Sequence, residues 1–119
     1  MSPKSLVHNQ HGPEDVEKAI LAMTLAETAR ARGAETVVFM TCCGVELAVR
    51  GFESRRRIAG YPGLDELLGS FIARGGRVWV HDGSAAARGI SAESLIDAAE
   101  FVDAARATAF IADGGRVLA

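Results

Sequence analysis

Long apolar runs are missing from this sequence. No stretch approaches the ~18 to 20 consecutive apolar residues of a membrane-spanning helix, so no membrane partner is expected. The segment from Met1 to Asn9 carries a single lysine and too short an apolar stretch for a secretory signal, which makes the cytoplasm the expected compartment. An excess of either charge is missing too. Thirteen Lys and Arg stand against fifteen Asp and Glu, a formal net charge of −2, and that balance leaves no footprint for DNA, RNA or an anionic lipid surface. Cysteine is scarce: the two present are neighbours, Cys42 and Cys43, which cannot staple distant parts of a fold and which a reducing compartment keeps as thiols. Internal repeats, low-complexity tracts, a Gly-x-Gly-x-x-Gly fingerprint and a Walker sequence are all absent, and no Cys or His pair sits at a zinc-finger interval. No cofactor and no resident metal are therefore expected.

What is present is the balance of an ordinary globular protein, with 49% apolar and 24% charged residues in 119. That length suits one domain over residues 1–119, because halves of it would be short of core. Lys4 to Asn9 reads as a strand. Gly12 as a cap and Pro13, Glu14 and Asp15 in a first turn then open a helix whose apolar positions Val16, Ala19, Ile20, Met23 and Ala26 recur at helical spacing up to Gly33. Thr36 to Met40 is a run without polar alternation, as in a strand buried on both faces. Gly44 to Arg50 suits a short helix, and Gly51 to Tyr61, with Arg55, Arg56 and Arg57, a polar surface loop.

Pro62 opens a second helix with Leu64, Leu67, Leu68, Phe71 and Ile72 on one face, stopped at Gly75-Gly76 and followed by a strand from Arg77 to Val80. His81 to Gly89 reads as a loop of small residues, and Ser91 as the cap of a helix through Leu95 and Ile96. An extended piece around Phe101 and Val102, a helix ending near Gly114 and a last strand from Arg116 to Leu118 complete the pattern. Strands alternating with helices require crossovers, so the expected fold is an α/β three-layer sandwich of about five mainly parallel strands with helices on both faces. In such sheets ligands bind beyond the carboxyl ends of the strands, near the point where strand order reverses.

All three histidines and both cysteines fall there: His8, Asn9 and His11 at the first strand, Thr41, Cys42 and Cys43 at the second, His81, Asp82, Ser84 and Arg88 at the third. Backbone N–H groups at a helix start favour thiolate over thiol, so Cys42 or Cys43 can carry sulfur; the competing reading is a free Cys acting as a small buried hydrophobe. The histidines serve equally as polar lining or as hydrogen-bonded loop residues, and Trp79 as core. Arg88 holds its loop through backbone carbonyls or meets an anion with its fork of donors.

Val38-Phe39-Met40-Thr41 followed by Gly44-Val45-Glu46-Leu47-Ala48, and Val78-Trp79-Val80 followed by Ala87-Arg88-Gly89-Ile90, resemble the DsrE/DsrF-like (YchN-like) family over nearly the whole chain. In sulfur-relay members a Cys commonly sits four residues before this Arg, receives a persulfide sulfur and passes it to a partner protein. Here Ser84 stands at that position, and a serine cannot hold a persulfide. The resemblance implies a homo-oligomer, a trimer or hexamer, with a sulfur-donor or sulfur-acceptor protein as partner. It leaves three readings of function. In one, Cys43, nearer the helix start, or Cys42 has taken over sulfur handling. In another, Asn9, His11, Cys43, His81, Ser84 and Arg88 line a pocket for a small ligand or metal without sulfur transfer. In the third, the scaffold is a structural or regulatory subunit.

Overall fold

A computed structural model describes residues 3–52 and 58–119, so the Arg55, Arg56 and Arg57 cluster of the expected surface loop lies outside the described residues. Five strands, β1 (Lys4–Asn9), β2 (Glu35–Met40), β3 (Arg77–His81), β4 (Ala99–Val102) and β5 (Gly115–Leu118), form one sheet in the order β4-β3-β2-β1-β5. Every adjacent pair is parallel. The apolar, β-branched runs read from the sequence are thus strands buried on both faces, as a parallel sheet demands.

Connecting them are α1 (Val16–Ala31), α2 (Leu64–Ala73), α3 (Asp82–Ala87) and α4 (Ala104–Ala112), with 3-10 segments at Cys42–Ala48 and Ala92–Ser94. Helix α1 starts later than Gly12 and Pro13 suggest. Its cap is Asp15, whose carboxylate takes the Lys18 N–H, while residues 12–15 close a separate turn through Asp15 N–H to Gly12 O. The segment expected as a loop after β3 is instead helix α3, because His81 accepts the Ser84 N–H and the alanines that follow are strong helix formers. The helix expected from Ser91 through Ile96 shrinks to a 3-10 turn. Leu95 pairs antiparallel with Val49, and Ile96 N–H goes to Ala48 O, so tertiary pairing claims the backbone groups a helix would use.

Strand alternation sorts the core into two layers. Val7, Val38, Met40, Val78 and Val80 meet α1 and α2 through Ile20, Met23 and the fully buried Phe71. Leu6, Val37, Phe39, Trp79 and Val102 meet α4 alone, through Ala107 and Phe110. The sheet therefore has helices on both faces, in unequal number. No helix among the described residues is long and apolar enough to cross a membrane.

Strand order reverses at β1, which has β2 on one side and β5 on the other. Asn9, Met40 and Val80 lie side by side in register across β1, β2 and β3, so the segments leaving those strands emerge together. The gathering of chemistry-bearing residues begins at the reversal but extends toward β2 and β3. It does not extend toward β5, which ends level with Val7, short of Asn9.

Candidate functional site

The connection leaving β1 and the 3-10 segment leaving β2 are pressed together. Thr41 N–H donates to Asn9 O at 3.0 Å, and Gly44 N–H to Thr41 O at 2.9 Å. A methyl on Gly44 would lie 2.4 Å from Asn9 O, and one on Gly12 would lie 2.3 Å from Cys43 O. Backbone, not a movable side chain, blocks both positions, so only glycine lets the two segments meet this closely.

Each thiol occupies its own environment. Cys42 is exposed and holds φ at 53°, the left-handed region that costs an L-residue about 1–2 kcal/mol. Its N–H donates to Ser84 Oγ at 2.9 Å, which ties the start of the 3-10 segment to α3. Cys43 is half-buried, and its Sγ lies 3.7 Å from Arg88 Nη2, while Arg88 Nη1 donates to Ser84 O at 3.2 Å. Neither thiol sits in the core. Of the two roles weighed from the sequence, Arg88 shows the bracing of α3 through a carbonyl, and it also lies against the Cys43 sulfur.

Ser84 has an imidazole beside it. Its Oγ is 2.9 Å from His81 Nδ1, and its own N–H donates to the same nitrogen at 3.2 Å. The neutral ring then carries its hydrogen on Nε2, 3.8 Å from Asp82 Oδ1. With its hydroxyl also accepting the Cys42 N–H, Ser84 is committed to joining the two segments.

The remaining candidates divide between the faces of the sheet. Asn9 is 1% exposed and does not line open space. Its Oδ1 accepts the His11 N–H at 3.1 Å, whereas its Nδ2 is buried without a hydrogen-bond partner. His11 Nδ1 is 2.9 Å from Glu14 Oε2, and Glu14 Oε1 accepts the Gly12 N–H. Desolvation opposes ionisation of Glu14, but these bonds from His11 and Gly12 outweigh it and hold its carboxyl below the usual range. His8 lies on the α4 face, stacked on Phe39 at 5.8 Å, with Nε2 2.9 Å from Thr41 Oγ1. Burial, and secondarily the His81 charge, push His8 below the ordinary histidine value. His8 and His11 thus diverge, and among the described residues no group of three or more His, Cys, Asp or Glu side chains is placed to hold a metal ion.

Two cavities flank this edge. An apolar one of about 380 Å³ lies between α2 and the segments 47–52 and 96–98, walled by Leu47, Phe52, Leu64, Leu68, Ile72 and Ile96, and none of the thiols or histidines borders it. A cleft of about 350 Å³ is bordered by Pro13, Glu46, Val49, Phe52, Arg88 and Ile90, and shares Arg88 with Cys43. Cys43 is not part of the wall of this second cleft; Arg88 is what joins the two.

The model of the DsrE/DsrF-like family matches residues 4–119. The chain belongs to that family. It is 27% identical over 96 residues to the uncharacterized protein MJ0760 of Methanocaldococcus jannaschii, which covers 81% of this chain but only 35% of that longer protein. Its fold is that of the ychN protein from E. coli, with a TM-score of 0.80 at 19% identity and 98% and 97% of the two chains covered. A protein of unknown function from Methanobacterium thermoautotrophicum, MTH1491, superposes with a TM-score of 0.79 at 13% identity, covering 98% of each chain.

Within this DsrE-like frame several participants escaped the sequence reading. Glu14 holds His11, and Glu46 and Pro13 border the cleft; Thr41, already placed at the strand end, holds His8. The glycines offered the clearest signal. Gly12 and Gly44, each within four residues of the end of a buried strand, mark where backbone passes backbone.

Proposed function

We propose that this DsrE-like protein is a sulfur carrier in which Cys43 does the work that Ser84 cannot. The Arg88 guanidinium 3.7 Å from a half-buried Sγ carries this reading, because a cation beside sulfur can pair with the negative charge that the sulfur bears while it attacks and while it holds a persulfide. The step is an exchange. Cys43 thiolate attacks the outer sulfur of a donor persulfide and a new S–S bond forms. The donor's S–S bond breaks with its electron pair leaving on the donor sulfur, which takes the proton, so nothing is oxidised overall. Transfer to an acceptor thiol runs the same exchange in reverse. Cys42, exposed and in a strained backbone, is the second thiol and not the primary one.

Intact-mass measurement after incubation with a persulfide donor is expected to show one added sulfur on the wild type and on Cys42→Ser, and none on Cys43→Ser. Alkylation rate against pH on the same two variants checks which thiol reacts. If both thiols resist alkylation until the protein unfolds, or if no sulfur is gained, the carrier reading falls and the small-ligand module takes its place. We also propose that the chain works as a homo-oligomer, a trimer or hexamer; light scattering at a mass near one 12.5 kDa chain would overturn that.

A further inference from the structure

The cleft that shares Arg88 with Cys43 carries opposite charges on an apolar wall. Arg88 has five N–H donors, of which Nη1 is engaged by Ser84 O and Nη2 by Cys43 Sγ, leaving the rest of the fork for an anion. Glu46 supplies the negative charge. It is half-buried, no hydrogen bond or ion pair occupies it among the described residues, and its Oε2 is 3.8 Å from where a methyl on Gly12 would stand. In a 3-10 segment side chains three residues apart eclipse, so Cys43 and Glu46 project to the same side of Cys42–Ala48. The other cation at the rim, Arg50, is already paired with Asp97. Pro13, Val49, Phe52 and Ile90 complete a cleft of about 350 Å³. That is at the small end of ligand sites, roughly 300–1,000 Å³, too small for a folded partner.

We propose that this cleft admits a small zwitterionic persulfide, an α-amino-acid thiol carrying one extra sulfur, as the sulfur donor to Cys43. Its carboxylate meets the open donors of Arg88, its ammonium meets Glu46, its short aliphatic body lies on Pro13 and Ile90, and its outer sulfur faces Cys43 Sγ. The inference rests on the carrier reading above and adds the class of donor. A donor with a single charge would leave either Arg88 or Glu46 desolvated against nothing, which selects against it. Atoms balance as in the exchange already given, with the free amino-acid thiol as the leaving product.

The test compares three donors on the intact protein by the rate at which Cys43 gains sulfur mass. These are cysteine persulfide, 3-mercaptopropionate persulfide, which lacks the ammonium, and cysteamine persulfide, which lacks the carboxylate. The wild type is expected to load from cysteine persulfide roughly tenfold faster than from either of the others, the size of one charge-assisted contact. In Glu46→Gln the advantage of cysteine persulfide over 3-mercaptopropionate persulfide is expected to vanish. Equal rates from all three donors on the wild type would overturn the proposal and leave the carrier reading standing. No loading from any of them would remove both.

Discussion

The two edges of the sheet treat several of their polar groups differently. At the amino edge, Lys4 pairs with Asp113 at 2.6 Å, Arg77 with Glu35 at 2.7 Å and Arg106 with Glu100 at 3.2 Å. The Arg77 and Arg106 guanidinium groups also lie over the Trp79 ring, at 5.9 and 4.9 Å. Each of these charges has a partner on the chain. At the carboxyl edge, an amide nitrogen of Asn9 is buried without a partner, Cys42 sits in a left-handed conformation, and Glu46 and Arg88 face a cleft. Polar groups that satisfy one another hold a structure together, whereas strain and unmet hydrogen-bonding capacity persist where binding or chemistry requires them.

Substitutions at the two edges should then differ in cost, and the sharpest difference is expected at Gly44. Gly44→Ala places a methyl 2.4 Å from the Asn9 carbonyl, on backbone that β1 and β2 hold in register. Overpacking of this kind costs about 1–3 kcal/mol, toward the upper end where backbone must move. Urea unfolding should show that loss, and Cys43 alkylation should slow as the 3-10 segment shifts. A neutral result would mean that the two segments are not in fixed contact and that the carboxyl edge is as tolerant as the other.

Cys42→Gly should move stability the other way. Glycine adopts φ near 53° without the steric penalty, so relief of about 1–2 kcal/mol is expected, reduced by the greater entropy of glycine in the unfolded chain to a net gain of roughly 1 kcal/mol. If Cys42→Gly destabilises instead, the thiol itself holds the segment and the comparison of edges loses its strained member.

The sheet and the two long helices were legible because their signals are local and redundant. Thr36 to Met40 and Arg77 to Val80 are apolar without alternation, and Leu64, Leu67 and Phe71 fall on one helical face. The strand-end location of the site followed from the same pattern. What the sequence did not disclose depends on contacts across the chain. The loop expected after β3 is helical because His81 caps it, and the helix expected after Ser91 gives way to pairing between Leu95 and Val49, residues 46 apart in sequence. The division of labour between Cys42 and Cys43 was hidden for the same reason, since it rests on Ser84 and Arg88 arriving from another element.

His8 gives a test through pH. Its folded value lies below the ordinary 6.5, so as pH falls through 6.5 the unfolded chain binds the proton first and stability declines toward the lower folded value. The contribution of neutral His8 is whole above that window. Glu14 acts lower. Its folded value is below the ordinary 4.5, so its contribution is lost only as pH falls beneath that point. Denaturant midpoints followed from pH 7.5 to 5 should fall in the wild type and fall less in His8→Gln. Equal slopes would show that the α4 face near Phe39, Thr41 and His81 is open enough to solvate the charged ring.

The smallest effect is expected at the amino edge, from Arg77→Ala. Arg77 and Glu35 are 45% and 41% exposed, so water screens their attraction, and holding two long side chains in one geometry opposes it further. An exposed pair of this kind contributes roughly 0.2–1 kcal/mol, and a partly solvated guanidinium over an indole about 0.5–1 kcal/mol. The two contacts share one side chain, so the variant should lose no more than about 1 kcal/mol, and raising the salt should shrink the ion-pair part. A double-mutant cycle with Glu35→Gln separates the contributions, because the stacking on Trp79 survives removal of the carboxylate. Small coupling that fades in salt would mark this edge as a set of mutually satisfied surface charges. A loss above about 2 kcal/mol, unmoved by salt, exceeds what exposed pairs supply and would mean that the amino edge, too, has a role the comparison denies it.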